Sequence, residues 1–540
     1  MVSGSLLPCD SILGRLLAAV TLLVATAALA GQGCALSNID FDSCRDDAEC
    51  ESAFGLGSTC SDGFCSDRFV CETGHDCRAQ FGGGFCAGGA CRRGFVAGPD
   101  GTCPFVEPAD LAQRSFIEPG THVPVGVLTR TEDSSDDRIL RAVQLAAQDI
   151  NGSGGLNEGR PLGLIICDTG LSEVAGTERD DRIRAQVDYL AGTVGASLII
   201  GPTTSSDSLV AVAHLVASRY PTTLISPAAT SPALTTASDR LDRSDPIGLF
   251  WRTAPSDSLQ GRLLAQQVVG AIPSETPVSS VSVVYLDDAY GEGLSQVFAA
   301  EWGNTGPVEL FPYDPNDVDY DELAGRVADR GPDAVVIIAL DAGNSVEFLD
   351  ASLQFPALDE VPYYLTDGSK DGTTLLASEV PAAVRELLYT RVFGTGPGQA
   401  SGSSFDAFAA GYQDEHGVDP RGFAWVANAY DATFVGAAAI VVSSAGGRFD
   451  YDGRQVAEAM TRFGGGSAPI SVGGANWTAL KSAVTQSEDV VDLAGVSGDL
   501  DFDPTTGDVI AAPIEVWRPS SDAATCGPAE SCFETVLVIE

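Results

Sequence analysis

From Val123 onward short apolar runs alternate with amphipathic stretches, and this alternation restricts the fold more tightly than any motif in the chain. Val123 to Leu128 has the length and composition of a buried strand, and Ile139, Val143, Ala146 and Ile150 then recur at helical spacing. Leu162 to Cys167, Ser197 to Ile200 and Thr222 to Ile225 continue the series, as do Val281 to Leu286 and Ala334 to Leu340. Strands that alternate with helices pair in parallel through right-handed crossovers. The expectation is a doubly wound α/β architecture, and its extent exceeds what one core serves, so two lobes are expected.

The segment before this region is built differently. Cys44, Cys50, Cys60 and Cys65 follow the spacing C-x5-C-x9-C-x4-C, and Cys71, Cys77, Cys86 and Cys91 repeat it as C-x5-C-x8-C-x4-C. Each unit is rich in glycine and poor in apolar residues, so neither can build a core without crosslinks. Zinc is a poor alternative, because C-x2-C knuckles are absent and His75 is the only imidazole nearby. Disulfides are expected here, in a small Cys-rich segment resembling the modules of exported bacterial proteins, which implies a stalk or adhesive spacer. Cys526 and Cys532 are expected to close a terminal loop, and Cys103 and Cys167, left over, to pair with each other.

An oxidising compartment agrees with the N-terminus. Arg15 precedes the apolar run Leu16 to Ala30, too short to span a bilayer and suited to an export signal. Ala28-Leu29-Ala30 offers an ordinary cleavage site, whereas Gly31-Gln32-Gly33-Cys34 resembles a bacterial lipobox. Of the 14 cysteines, Cys9 leaves with the leader, and lipidation of Cys34 leaves an even number to pair, which favours the lipoprotein. The expected segments are a signal at 1–33, the Cys-rich repeats at 34–103, a linker at 104–121, the α/β region at 122–518 and a tail at 519–540.

Charge removes whole classes of partner. With 74 acidic against 30 basic residues the net charge is -44, which repels nucleic acid and anionic lipid surfaces, leaving a lipid anchor as the only expected membrane contact. The sequence Asp314 to Glu322 suggests a calcium loop but lacks the glycine and the terminal acid that such loops need. The four histidines are scattered, and there is no P-loop, nucleophile elbow or dinucleotide fingerprint. No metal, cofactor or catalytic residue is expected.

An ordered series of motifs carries a resemblance. Asp149-Ile150-Asn151 is followed by Gly154-Gly155, Ile200-Gly201-Pro202 by Ser205-Ser206, and Ile225-Ser226-Pro227-Ala228-Ala229-Thr230 by Pro232. Then come Arg252-Thr253, Pro255-Ser256-Asp257 with Gln260, Asp288-Ala289-Tyr290-Gly291, Gly331-Pro332-Asp333 and Asp367-Gly368. In this order they resemble the type I periplasmic solute-binding proteins, in particular the leucine/isoleucine/valine-binding branch.

The resemblance implies two Rossmann-like lobes joined by three crossings, near Arg252-Thr253, Leu388-Tyr389 and Val496. Lobe 1 would span 122–252 and 389–495, and lobe 2 would span 253–388 and 496–518. It implies a bound amino acid, with Ser205 and Thr230 at the carboxylate and the Ala228 carbonyl and Thr230 at the ammonium. Asp367 would pair with that ammonium, and Tyr290 would close over the ligand from the opposite lobe. It also implies an ABC permease as partner, and a sensor or adhesive receptor is the alternative use of the fold. Family aromatics near Asp136 and near Leu340 or Asp341 are missing, so branched-chain specificity is not implied, and Asp341 would favour a polar or cationic solute.

Overall fold

The computed structural model describes residues 43–113, 121–170, 177–272, 277–398, 400, 402–466, 468–486, 489–527 and 531–539. The expected leader and lipidation site, Cys34, lie outside these residues. The first Cys-rich repeat belongs to a compact unit ending at Val70, and the chain from Cys71 forms a second unit.

In the first unit the helix Asp47–Phe54 is capped by Asp46, whose carboxylate accepts from the Glu49 N–H, and a hairpin of Thr59–Ser61 with Phe64–Ser66 follows. Disulfides join Cys44 to Cys60 and Cys50 to Cys65. The second repeat copies this plan, with helix Gly74–Phe81, a hairpin at Phe85–Ala87 and Ala90–Arg92, and bridges Cys71–Cys86 and Cys77–Cys91. It is not a free spacer. The buried Arg78 guanidinium donates to the carbonyls of Gly195, Phe449 and Tyr451 on the adjacent lobe. Gly74 approaches so closely that a Cβ there would lie 2.4 Å from the Val194 carbonyl oxygen.

Lobe 1 is a six-stranded sheet in the order Phe250–Arg252, Thr223–Ser226, Leu198–Ile200, Val123–Thr129, Leu162–Asp168, Phe105–Glu107. All pairs are parallel except the last, in which the stretch expected to be linker adds an antiparallel edge strand. The expected Cys103–Cys167 disulfide pins that addition. It closes a loop of sequence separation 64. Replacing both cysteines by serine is expected to lower the unfolding free energy by about 4 kcal/mol in urea titrations, because the open chain regains that loop entropy.

Helix Val426–Ser443 packs against Ser134–Gly152 on one face of this sheet. It is as apolar as a membrane span, yet every side chain except Val442 is buried within the lobe, so it is a core helix.

Lobe 2 is a seven-stranded sheet in the order Val308–Tyr313, Val281–Leu286, Ala334–Ile338, Tyr363–Leu365, Val392–Pro397, Ile514–Ser520, Cys532–Ile539. The last two strands run antiparallel, and the Cys526–Cys532 bridge closes the turn between them.

Two crossings fall later than the resemblance implied. Val392–Pro397 belongs to the lobe 2 sheet, so the chain leaves that lobe after Pro397 and not near Leu388-Tyr389. Leu500 and Phe502 pack in the lobe 1 core, so the third crossing runs on past Val496 towards Ile514. The sequence VFGTGP hid its strand because its glycines make room for a neighbour: a Cβ on Gly394 would lie 2.1 Å from the Trp517 ring. Arg252 ends the last lobe 1 strand, and beyond it Thr253 and Asn428 exchange side-chain to carbonyl hydrogen bonds.

Candidate functional site

The loops that follow strands Leu198–Ile200, Thr223–Ser226 and Tyr363–Leu365 meet at the cleft between the lobes, beyond the carboxyl ends of parallel strands. Helix Ser205–Ser218 begins there in lobe 1. Its cap is Thr204, whose hydroxyl accepts from the Asp207 N–H, so Ser205 is not spent on capping. The Ser205 hydroxyl instead accepts from the Ser231 N–H, 3.1 Å away. The loop carrying Ala228 and Thr230 follows strand Thr223–Ser226, and the Ser226 hydroxyl holds it by accepting from Ala229 N–H and donating to the Pro202 carbonyl.

Lobe 2 supplies the opposite charge. Asp367 follows strand Tyr363–Leu365 and is 3% exposed. Its Oδ1 accepts from Gln260 Nε2 at 2.8 Å and from the Tyr290 hydroxyl at 3.0 Å. Burial pushes its carboxyl up to about 6, with those two donors pulling it back down.

Of the residues the resemblance named, Ser205, Ala228, Tyr290 and Asp367 border one cavity between the lobes. Thr230 stands behind that wall, buried, and donates to Asp257 Oδ2 at 2.9 Å. The cavity is small, about 30 Å³, because the lobes are closed on one another. Ser134 and Arg138 of lobe 1 reach Asp371 of lobe 2, and Ser206 donates to Asp288.

Several wall residues were not foreseen. Lys370, one of only two lysines in the chain, borders the cavity at 4% exposure and pairs with Glu515. Glu515 is held in turn by Thr535, on the terminal strand, at 2.6 Å. The tail thus braces the site from behind, and its only signal in the sequence was position, three residues after Asp367. Glu515→Ala is expected to destabilise the protein by about 3–5 kcal/mol in chemical denaturation, since it leaves a buried ammonium unpaired.

Aromatic side chains also border the cavity. Phe423 and Trp425 line the cavity, and Trp425 holds a left-handed backbone (φ 68°) at the start of helix Val426–Ser443. A bulky residue at positive φ is uncommon and costs of order 1–3 kcal/mol, a strain concentrated at sites that orient a side chain. Asp136, where an aromatic was absent, is a buried plug held by Arg130 and Thr203. Asp341 caps helix Ala342–Ser352 through the Gly343 N–H. It faces a wider mouth of about 560 Å³, along with Asp180, Asp207, Asp288 and Asp314, and does not border the inner cavity.

The model of the receptor family ligand-binding region matches residues 138–521. Among solved structures, a leucine-binding protein from Thermotoga maritima is 18% identical, with a TM-score of 0.57 over 77% of this chain and 98% of its own. A solute-binding protein of an ABC transporter from Rhodopseudomonas palustris, in complex with 3,4-dihydroxybenzoic acid, is 16% identical, with a TM-score of 0.57 over 78% and 98%. A fatty acid ABC transporter substrate-binding protein from Thermomonospora curvata is 13% identical, with a TM-score of 0.56 over 77% and 92%. No curated protein sequence matches the chain. The chain belongs to the receptor family ligand-binding region and has the type I periplasmic binding protein fold of two α/β lobes.

Proposed function

We propose that this protein is an extracytoplasmic solute receptor that captures an amino acid or related zwitterion by closure of its lobes and presents it to an ABC permease. No covalent chemistry is involved. The disulfides support export, since such bonds persist in oxidising compartments, and a lipid on Cys34 would hold the receptor at the membrane.

One observation carries the reading. The N-terminus of helix Ser205–Ser218, on lobe 1, borders the same cavity as the buried carboxyl of Asp367, on lobe 2. A helix N-terminus attracts anions through its free N–H groups and its dipole, while a buried carboxylate attracts a cation. The two ends match the carboxylate and ammonium of a zwitterion, and each lobe holds one of them. Such a ligand would join the lobes, which is the free-energy source for closure. At about 30 Å³ the inner cavity admits little more than water, so the lobes must part for a ligand to enter.

The structural neighbours take leucine, an aromatic acid and a fatty acid, so fold alone does not choose among solutes. The alternative, a sensor or adhesive receptor, drew on the Cys-rich repeats as a stalk. Docking of the second repeat on lobe 1 weakens that support.

A thermal-shift screen of the full exported chain against amino acids, amides and small organic acids tests the proposal. A ligand at a hundred times its dissociation constant adds ~2.7 kcal/mol of stability. An amino acid should raise the melting temperature. A response confined to aromatic or fatty acids would overturn the zwitterion assignment.

A further inference from the structure

A second cavity lies where the second Cys-rich repeat meets lobe 1, and it shares no residue with the cavity between the lobes. Arg78 and the turn Gly82-Gly83-Gly84 line it from the repeat, and His122, Arg160 and Val194 line it from the lobe. Among the described residues no carboxylate borders it, in a chain with 74 acidic residues. Both arginines are buried, at 6% and 9% exposure, and among the described residues neither forms an ion pair.

Buried charges are ordinarily paired, because an unpaired one loses its hydration and gains no attraction in return. The nearby acids are committed elsewhere. Asp76 accepts from the Glu72 and Thr73 N–H groups, Asp450 pairs with Arg448, and Asp452 caps helix Gly453–Met460. Glu158 is exposed and attracts Arg160 without forming an ion pair. His75 adds no negative charge, since its Nδ1 accepts from Arg78. Burial lowers both guanidiniums from their usual value, and the charge of Arg78 lowers Arg160 further. Arginine keeps its proton nonetheless.

A guanidinium carries five N–H donors. Arg78 spends four of them, on the carbonyls of Gly195, Phe449 and Tyr451 and on His75. Arg160 spends Nε on the Thr121 carbonyl at 3.0 Å, and its Nη1 and Nη2 have no partner among the described residues. Both lie against one residue. The Arg160 guanidinium stands 4.9 Å from the Phe449 ring centroid, and Arg78 Nε donates to the Phe449 carbonyl at 3.2 Å. Two like charges thus face one cavity with donors to spare.

We propose that one halide ion, chloride under physiological conditions, seats between Arg78 and Arg160 and fastens the second Cys-rich repeat to lobe 1. The cavity, about 10 Å³, admits one water-sized occupant and excludes sulfate, phosphate and carboxylate groups. A water would accept hydrogen bonds yet leave both positive charges uncompensated, whereas an anion meets both needs. The net charge of -44 opposes entry weakly, since charges beyond about 8–10 Å are screened at physiological ionic strength. Because Arg78 belongs to the repeat and Arg160 to the lobe, the ion holds the two together.

Two measurements on the full chain test this. The first is anomalous diffraction at the bromine edge from crystals soaked in sodium bromide. A peak within hydrogen-bonding reach of both guanidiniums is expected, and a cavity holding only water would overturn the assignment. The second is thermal unfolding in sodium chloride exchanged for sodium gluconate at constant ionic strength, gluconate being too large for the cavity. The melting temperature should rise by about 2 °C for each tenfold of chloride above the dissociation constant. R160Q should lose that response, because glutamine keeps a donor for the Thr121 carbonyl and removes the charge. An equal response in wild type and R160Q would reveal a general salt effect and overturn the site. A bromide peak with no chloride response in the wild type would mark an adventitious ion only, and would overturn it too. Should R160Q fail to fold, the wild-type titration and the bromide peak still decide.

Discussion

Asp367→Ala is expected to weaken binding of an amine-bearing solute by about 2–5 kcal/mol, roughly thirtyfold to several thousandfold. The size follows from the site. Asp367 is 3% exposed, so an ammonium beside it is desolvated, and removal of the carboxylate leaves a buried cation without its partner. Isothermal calorimetry on the variant checks the loss. Stability of the unliganded protein should move the other way. A carboxyl raised to about 6 by burial stabilises the fold only while it is protonated. That contribution is complete below the unfolded value near 4 and fades as pH rises through about 6. At pH 8 Asp367→Asn should therefore be at least as stable as wild type in urea, while losing ligand. A variant equally damaged in stability and in affinity would point to a packing role instead.

Arg252→Ala is expected to cost about 3–5 kcal/mol of folding stability. Arg252 is wholly buried and donates from Nε to Asp508 at 2.6 Å, from Nη1 to the carbonyls of Ala229 and Ser231, and from Nη2 to Thr235. It thus fastens the loop bearing Ala228 and Thr230 to the third crossing. The same change should weaken ligand binding at sites it does not border, because the loop carbonyls lose their brace. Urea titrations of Arg252→Ala, Asp508→Ala and the double variant measure the coupling. Additive losses would show that the pair does not act as a unit.

Much of the fold was legible because its strands are apolar and short and its helices amphipathic. The lobe 1 strands stand within a residue of where periodicity set them, for Leu198–Ile200 and Thr223–Ser226 alike. What escaped were elements whose sequence does not match their environment. Val392–Pro397 is a buried strand containing two glycines, made necessary by Trp517 packing on it. The terminal strand Cys532–Ile539 was read as tail, since pairing with Ile514–Ser520 is a long-range decision that local pattern does not carry.

The site divided in the same way. Ser205, Ala228, Tyr290 and Asp367 border one cavity because ordered motifs keep their place at strand ends. Lys370, Phe423 and Trp425 were missed because they arrive from loops with no periodicity.

A crystal structure of the protein with the first amine-bearing compound found by thermal shift tests the central claim most directly. The account predicts the solute's ammonium within hydrogen-bonding distance of Asp367 and its carboxylate at the N-terminus of helix Ser205–Ser218, with both lobes in contact with one molecule. A solute seated in the wider mouth among Asp180, Asp288 and Asp314, or bound to one lobe only, would contradict it.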